Sequence, residues 1–268
     1  ALDWLDRARV RFENLGDQAG VGEIWHYEGT ISAQQGDLQQ ARTLWQRSLD
    51  IRRELDDEIN IANLLSNLAI AARNMGDHQQ ARALNEQALE LRNRLGDKRA
   101  IAVSLNNLGQ LLTDIGEYET AQNHLKVAVN LQREIGDRFE IANILHNLAN
   151  LTRDQGDYTD AASLYGESLV ILWELGERWL LAYVLEDMGG LAALQGQPAR
   201  ALRLVGATTT LREEIGSSLS PAEQDLLGKM LDPARQALGD AAATLEAEGR
   251  AMPLEQAVDY ARNGSRCM

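Results

Sequence analysis

Residues 105–124 read LNNLGQLLTDIGEYETAQNH, and the same pattern of apolar, small and turn residues returns forty residues earlier and forty residues later. The stretch opens with an apolar stripe that has Gly109 near its centre, which is typical of a helix packed closely against a neighbour. Gly116 can end that helix in the left-handed conformation, which glycine adopts at little cost. Glu117 can then favour the positive end of the next helix. The stretch therefore predicts two helices joined by a tight turn.

A glycine followed by an acid marks such a turn about every twenty residues along most of the chain. Each twenty-residue unit between two turns has room for a helix of about four turns and a short connection. Asp56-Asp57 stands where one Gly-acid pair is missing, and Gly196 and Gly216 continue the spacing without a following acid. The acids predicted to lie at helix starts are Asp17, Asp37, Asp57, Asp77, Asp97, Glu117, Asp137, Asp157 and Glu177.

Two kinds of twenty-residue unit alternate along the chain, so the true repeat is a pair of helices that spans forty residues. The first helix carries a small residue within its stripe, as at Ala69 and Gly109. The second carries an alanine four residues after the acid, as at Ala81 and Ala121, and such small residues let two helices approach closely. The predicted domains are the second helix of a truncated pair at 1–16, five pairs at 17–56, 57–96, 97–136, 137–176 and 177–216, and a helical C-terminal cap at 217–268.

The middle three pairs share an asparagine, a leucine and a small residue in the first helix, and this pattern resembles tetratricopeptide repeats. The three triplets are Asn67-Leu68-Ala69, Asn107-Leu108-Gly109 and Asn147-Leu148-Ala149. The forty-residue period exceeds the usual length of about 34 residues and is similar to the extended repeats of kinesin light chains and bacterial regulators. The first pair departs from the pattern, with Tyr27-Glu28-Gly29 at this position. The resemblance implies an all-α, right-handed tetratricopeptide α-solenoid in which first helices line a concave groove.

The repeat pattern stops after Gly216. Ser220-Pro221-Ala222-Glu223 has the form of a capping box with proline at the first helical position, so we expect a helix from there to about Leu231. Atypical helices of this kind cover the apolar end of a repeat array. The other expected features are a restart or kink at Asp232-Pro233, a helix over 240–248 stopped by Gly249, and a last helix over 253–262.

Residues 201–262 also resemble the C-terminus of large bacterial signal-transduction ATPases of the STAND type and of transcription regulators. The resemblance rests on sequence segments such as LRLVGA and EGRAMPLEQAVDYA. In those proteins a nucleotide-binding module, often with a DNA-binding module, precedes a helical-repeat sensor. The resemblance implies that this chain is the C-terminal sensing arm of such a protein, with upstream domains in the same polypeptide. The amphipathic helical pattern is already under way at Ala1, so we expect the chain to be a fragment excised from a longer protein.

Composition excludes several classes of partner. The 268 residues carry a formal net charge of -14, which argues against a surface for nucleic acid or for an anionic membrane. No stretch reaches the ~18 apolar residues of a membrane helix, and the N-terminus lacks the features of a signal peptide. The single cysteine, Cys267, excludes an internal disulfide framework and a Cys-based zinc site. We therefore expect a reducing, cytoplasmic location.

Sequence motifs for catalysis and cofactor binding are absent from the chain, including a P-loop, a dinucleotide fingerprint and a nucleophile elbow. His26 and His146 occupy equivalent positions three pairs apart, too far for a shared metal ion. We expect no enzymatic activity, no cofactor and no metal site. The leading interpretation is a scaffold that binds protein or peptide, and the alternatives are a self-associating structural adaptor and a small-molecule effector receptor using the same groove.

A row of asparagines on the first helices forms the candidate binding groove. An amide side chain offers a donor and an acceptor, so it can hold an extended peptide by its backbone. In tetratricopeptide proteins the residue before the Leu-Gly or Leu-Ala pair commonly does this, which assigns the role to Asn67, Asn107 and Asn147. Arg73 and Arg153 could meet acidic groups of a ligand. The full candidate set is Asn63, Asn67, Arg73, Asn106, Asn107, Gln110, Asn143, His146, Asn147, Asn150 and Arg153.

The same residue types also allow structural roles. An asparagine before Leu-Gly can bond to the neighbouring repeat, and an arginine on a helix is often only solvated. Trp45, Trp173 and Trp179 are expected in the core, whereas Trp25 could anchor a ligand in the groove. Acids such as Asp187 would make the ends of the groove more negative than its middle.

Overall fold

The computed structural model describes residues 2–263, and this part of the chain is all α-helical, without a strand. Every helix in it is too short or too polar to cross a membrane. Cys267 and the end of the predicted cap lie outside the described residues. The helices are α1 Leu2–Leu15, α2 Gln18–Gln34, α3 Leu38–Glu54, α4 Glu58–Asn74, α5 His78–Leu95, α6 Lys98–Asp114, α7 Tyr118–Ile135, α8 Arg138–Asp154, α9 Tyr158–Leu175, α10 Arg178–Leu194, α11 Pro198–Ile215, α12 Pro221–Leu238, α13 Ala241–Arg250 and α14 Leu254–Asn263.

The turns follow the predicted chemistry. Each of the repeating turn glycines has a positive φ, for example 81° at Gly76. The aspartates cap the next helix: the Asp97 carboxylate, for instance, accepts a hydrogen bond from the Ala100 backbone N–H at 3.1 Å. Glu177 starts α10 without such a bond, because its extra methylene changes the reach of the carboxylate. Capping is therefore confirmed for the aspartates that begin α2–α6, α8 and α9, and is wrong for Glu177.

The turn before α4 is the exception to the glycine rule. Asp56 has a φ of 52° and is the one residue other than glycine with positive φ among residues 2–263. A side chain in this conformation crowds the following carbonyl oxygen, so we expect Asp56→Gly to raise the free energy of unfolding by about 1 kcal/mol. The reverse change at the equivalent turn of the next pair, Gly96→Asp, should lower it by a similar amount. Urea unfolding followed by circular dichroism measures both, and a destabilised Asp56→Gly variant would contradict the strain at this turn.

Contacts divide the chain into two compact units, residues 1–131 and 132–268. In unit 1, first and second helices pair closely, α2 with α3 and α4 with α5. In the next pair, Gly109 of α6 lies against Leu125 of α7, where a Cβ would come within 2.6 Å of the leucine side chain. Leu49, Leu64 and Leu65 are almost completely buried in the aliphatic core of this unit.

Unit 2 contains the pairs α8–α9 and α10–α11 and the closing helices α12–α14. Tyr165, Leu169 and Leu172 of α9 are fully buried in its main core. The last helix, α14, turns back and adds Val258 and Tyr260 to this core. Helix α12 instead contacts α10 and α11, with Leu231 fully buried in a second cluster. The described part of the predicted cap therefore covers both helices of the last pair.

Two glycines allow α11 and α13 to touch backbone to backbone. A Cβ on Gly249 would lie 2.1 Å from the carbonyl oxygen of Arg203, and one on Gly206 would lie 2.2 Å from that of Glu246. The predicted helix stop at Gly249 is wrong, since α13 continues to Arg250 and this glycine provides a close approach instead. Of the restart or kink expected at Asp232-Pro233, the restart is wrong, because α12 runs through Pro233 as one helix, while a kink stays a prediction.

The tryptophans only partly occupy the expected core. Trp45 is 5% exposed, and its indole N–H donates to the His26 carbonyl oxygen at 3.2 Å. Trp173 and Trp179 are 39% and 56% exposed, so their predicted core positions are wrong. Trp179 stacks at an angle on Tyr183, with ring centroids 4.9 Å apart. Both exposed tryptophans lie beside buried residues of their own helices, Leu172 and Leu180, so each indole is on a different side of its helix from the core.

Candidate functional site

In unit 1 the first helices α4 and α6 lie side by side and present polar side chains on one face. Asn67 and Asn107 occupy equivalent positions and both are half-buried. The Asn67 amide N–H donates to the Nε2 atom of His26 on α2 at 3.0 Å. Burial lowers the pKa of His26, which favours the neutral ring that can accept this bond. We name the set Asn67, Ile70, Arg73, Asn107, Gln110 and Asp114 the unit 1 face.

Arg73 and Gln110 are brought together on the unit 1 face. Arg73 Nε lies 2.5 Å from Asp114 Oδ2, and Arg73 Nη1 donates to Gln110 Oε1 at 2.5 Å. The guanidinium therefore already has a carboxylate partner within the chain. Both side chains of this ion pair remain roughly a third exposed, so water screens it and it adds little stability.

Asn107 differs from Asn67 because its amide has no hydrogen-bond partner among residues 2–263. The residue that corresponds to His26 at this junction is Ser66, one pair later. Its hydroxyl is buried and likewise has no partner, since serine is too short to span the distance that histidine spans. The structure thus leaves one half-exposed amide of the predicted row with its donors and acceptor unused.

Two members of the predicted set serve the interior of unit 1. The Asn63 amide oxygen accepts a hydrogen bond from Arg92 Nη2 at 3.0 Å. Arg92 is 5% exposed and also donates to the Ser104 hydroxyl at 2.6 Å, which ties α5 to two first helices. Asn106 is 4% exposed and does not line an accessible surface. Asn106 comes one residue before Asn107 and lies on the side of α6 that is packed against the interior.

Unit 2 holds a compact polar cluster on α8, α9 and α10. Its centre is Asp187, whose two oxygens lie 2.6 Å from His146 Nε2 and 3.1 Å from Arg153 Nη1. Arg153 also donates to the hydroxyl of the fully buried Tyr165 at 3.2 Å, and that hydroxyl donates to Asn150 Oδ1 at 2.5 Å. We name His146, Asn150, Arg153, Tyr165 and Asp187 the unit 2 cluster.

Charge pairing sets the protonation states in the unit 2 cluster. Burial alone would raise the pKa of Asp187, but the hydrogen bond from His146 and the charge of Arg153 bring it below its ordinary value. Burial would lower the pKa of Arg153, and the neighbouring Tyr165 and Asp187 raise it instead. Burial and the Asp187 carboxylate raise the pKa of Tyr165. The cluster therefore contains a carboxylate, a guanidinium and a neutral phenol that hold one another in place.

The remaining two asparagines of the predicted set are also on α8. The Asn143 amide lies 3.4 Å from a carboxylate oxygen of Glu140 on the same helix. Asn147 is half-buried and takes part in an interaction with another residue. In the described part of the chain, no group of three or more His, Cys, Asp and Glu side chains is placed to hold a metal ion.

Family comparison identifies the helix pairs. The model of the tetratricopeptide repeat matches residues 20–94, 60–134 and 140–214. The chain belongs to the tetratricopeptide-repeat family. Tetratricopeptide repeats are generally non-catalytic scaffolds, and the forty-residue spacing of this chain is confirmed as a variant of that repeat. No curated protein matches the chain.

Solved structures share the tetratricopeptide fold at low identity. BtubC from P. vanneervenii is 18% identical, with a TM-score of 0.66, and the match covers 81% of this chain and 92% of BtubC. A Rap protein in complex with Competence and Sporulation Factor is 16% identical, with a TM-score of 0.68, over 87% of this chain and 67% of Rap. A STAND protein with a tetratricopeptide repeat sensor from Pyrococcus horikoshii is 13% identical, with a TM-score of 0.62. That match covers 92% of this chain and 39% of the STAND protein.

Asp187 and Tyr165 organise the unit 2 cluster but were not among the predicted binding residues, and Asp187 was expected only as an acid at one end of the groove. Asp187 stands where the middle pairs have the asparagine, and this departure was the available signal for the unit 2 cluster. Tyr165 gave no signal, since an aromatic residue within an apolar stripe predicts core. The second helices also carry buried arginines at equivalent positions, Arg52, Arg92 and Arg212, each bonded to a side chain of its own pair's first helix. Their forty-residue recurrence was visible but does not by itself distinguish a buried arginine from a solvated one.

Proposed function

We propose that this chain is a tetratricopeptide scaffold that binds a protein or an extended peptide on the first helices, and that it forms the C-terminal sensing arm of a bacterial signalling ATPase or transcriptional regulator. The observation that carries the binding proposal is the free amide of Asn107 on the unit 1 face. A half-buried amide without a partner loses hydrogen bonds relative to water, and a peptide backbone restores them.

The surroundings of Asn107 suit a peptide. Ile70 on the neighbouring helix is 42% exposed and offers an apolar contact next to the amide row. Gln110 lies one turn after Asn107 and is held by Arg73, so its amide group is fixed in position. A ligand that met Asn107 and Gln110 would bridge to α4 through Arg73. Binding would therefore change the link between two neighbouring pairs, which is how a repeat array can transmit a ligand signal.

The sensing role is supported by similarity of fold. The STAND protein from Pyrococcus horikoshii is described as having a tetratricopeptide repeat sensor, and Rap is described in complex with Competence and Sporulation Factor. This chain would cover about two fifths of a protein of the STAND kind. We infer that a nucleotide-binding module belongs to the same polypeptide, as the resemblance of residues 201–262 also implies.

Replacing Asn107 tests the binding surface. Peptides selected on this protein from a random-peptide phage library provide the probe, with affinity measured by fluorescence polarisation. We expect Asn107→Ala to weaken the selected peptides at least tenfold. Its melting temperature should stay unchanged, because the amide makes no bond within the described chain. Asn67→Ala should instead lower stability by about 1 kcal/mol, because it removes the bond to His26.

The matched control is Gln87→Ala, an exposed polar residue on the second helix α5. Peptides that bind the unit 1 face should bind this variant as they bind the unmodified protein. Failure of any peptide to be enriched, or equal losses in Asn107→Ala and Gln87→Ala, would contradict a binding role for the first helices. A drop in the melting temperature of Asn107→Ala would support the structural interpretation of the asparagine row.

A further inference from the structure

A cavity in unit 1 lies between two second helices, α3 and α5. It has a volume of about 390 Å³, which is within the range of small-molecule sites. Leu68 of α4 and Leu84 of α5 supply its apolar surface, and most of its polar wall comes from α3. None of the described residues that line it belongs to the unit 1 face, so this cavity is separate from the proposed peptide site.

Two arginines of α3, Arg42 and Arg47, line this cavity and are accessible to solvent. Arg42 is partly exposed and forms no hydrogen bond or ion pair with any residue in 2–263. Arg47 is exposed and has no carboxylate partner within the same residues. Its guanidinium lies 5.0 Å from the centre of the Trp25 ring, a cation–π contact that restrains the side chain and leaves its N–H groups without an acceptor. Both guanidinium groups can therefore be reached by a ligand.

Arginines without an acid partner are uncommon in this chain, in which 40 acids outnumber 26 bases. Most arginines among residues 2–263 form an ion pair with a carboxylate. No aspartate or glutamate is among the described residues that line the cavity. Asp50 comes one turn after Gln46 and accepts a hydrogen bond from that lining amide at 2.8 Å, and Glu28 acts on Arg47 through charge without forming an ion pair. The cavity wall therefore presents two positive charges and no negative one.

The repeat itself does not require these arginines. Three pairs later, in unit 2, Ala162 and Glu167 stand at the positions of Arg42 and Arg47. Glu167 is a carboxylate that is bound to Arg133 at 2.9 Å. The paired positive charges are therefore a property of the unit 1 cavity and not of the helix pair.

We propose that this cavity, which we name the α3–α5 pocket, binds a small organic anion that joins a carboxylate or phosphate group to an apolar body. The forked N–H groups of arginine match the oxygens of either group, and two guanidinium groups favour a negative charge over a neutral ligand. Gln39 and Gln80 add amide donors from the two helices, and the apolar body contacts Leu68 and Leu84. Such a ligand connects the second helices of two neighbouring pairs and stabilises their packing.

The test compares four probes that share one aromatic ring: phenyl phosphate, benzoate, benzyl alcohol and benzylamine. Saturation-transfer NMR on the whole chain measures the binding of each. We expect saturable binding of the two anions, and binding at least tenfold weaker for the alcohol and the amine. Saturable binding of phenyl phosphate alone would assign the pocket to phosphate esters, and of benzoate alone to carboxylates. Added sodium chloride should weaken the anions, because both arginines are open to solvent.

Three variants locate the binding. Arg42→Gln and Arg47→Gln should each weaken the anions at least fivefold, and glutamine already occupies the equivalent positions 122 and 87. Arg42→Gln should leave the melting temperature unchanged, because Arg42 makes no bond within the described chain. Thr43→Trp, at an exposed position of the cavity wall, should fill the pocket and abolish binding of both anions.

The matched control is Arg11→Gln, because Arg11 on α1 is also exposed and without a partner among residues 2–263, and lies outside the cavity. Circular dichroism establishes that each variant is folded, and Thr43→Trp decides the matter if an arginine variant is not. The proposal is overturned if neither anion shows saturable binding or if benzyl alcohol or benzylamine binds as tightly as the anions. It is also overturned if Thr43→Trp still binds them, or if Arg11→Gln weakens binding as much as Arg42→Gln does. Peptide binding at the unit 1 face can succeed or fail independently of each of these results.

Discussion

Replacing Gly249 by alanine is expected to detach the closing helices from the last helix pair and to lower the free energy of unfolding by about 3 kcal/mol. The added Cβ would lie 2.1 Å from the carbonyl oxygen of Arg203 and 2.8 Å from its Cα atom. Backbone cannot move aside as a flexible side chain can, so α13 would have to shift away from α11 as a whole. Urea unfolding measures the loss, and limited proteolysis should show earlier cleavage in residues 239–253.

The control for this experiment is Gly166→Ala in the middle of α9. A Cβ on Gly166 meets nothing within 4 Å, so alanine should stabilise the protein by about 1 kcal/mol through its higher helix propensity. Opposite signs at the two glycines would separate a close backbone contact from a general effect of glycine on helices. If Gly249→Ala is as stable as the unmodified chain, the two helices do not touch as described.

Asp187→Ala is expected to cost about 2 kcal/mol, because it removes one of the two carboxylates that pair with the largely buried guanidinium of Arg153 and leaves only Asp154, at 3.0 Å. The Arg153 and Asp187 side chains are 14% and 25% exposed, so solvent offsets only part of this loss. The same change removes the acceptor of His146. Asp187→Asn, which restores the residue found at 67, 107 and 147, keeps an acceptor and should cost about half as much.

The pH dependence gives a separate test of the unit 2 cluster. Because the pKa of Asp187 is lower in the folded chain than in the unfolded chain, its stabilisation is fully present above the unfolded value of about 4. That stabilisation is lost as the pH falls through the lower, folded value. Urea unfolding at successive acidic pH values should therefore show a shallower loss in Asp187→Asn than in the unmodified chain. Equal slopes would mean that the carboxylate is not held by His146 and Arg153.

Combining Asp187→Asn with Arg153→Leu provides the matched control. This double variant leaves no unpaired buried charge, so we expect it to recover most of the stability lost in Asp187→Ala. A double variant that is less stable than either single change would show that the two side chains act independently.

Backbone features of this fold were predictable from the sequence because a single physical cause fixes each one. A positive φ favours glycine whatever surrounds it. Gly76 and Gly116 therefore each predict a turn independently of the rest of the sequence. A short aspartate side chain reaches the first backbone N–H groups of the next helix, so Asp97 predicts its own capping bond. The family match confirms the repeating pairs that these signals define.

Side-chain pairing was not predictable, because it depends on which residue the neighbouring helix places opposite. Asn67 and Asn107 both precede a leucine and a small residue, yet Asn67 bonds to His26 while Asn107 has Ser66 at the position equivalent to His26. Arg153 was predicted to meet the acid of a ligand and instead meets Asp187, which lies 34 positions later in the chain. Periodicity places a residue on a helix face, but it does not identify its partner. That requires the register between helices.

The glycine contact that closes unit 2 also limits how such a chain can lengthen in evolution. Gene duplication adds whole helix pairs, and a copy of 57–96 or 97–136 would carry Glu86 or Lys126 at the position of Gly206. Either side chain would keep the returning segment from docking if that copy came last. Copies of 57–96 and 97–136 are therefore tolerated only ahead of residues 177–216, whereas a copy of 137–176 would carry Gly166 at this position and could also receive the closing segment. The number of pairs can thus vary between descendants, provided that the terminal pair keeps a glycine where the closing helices dock.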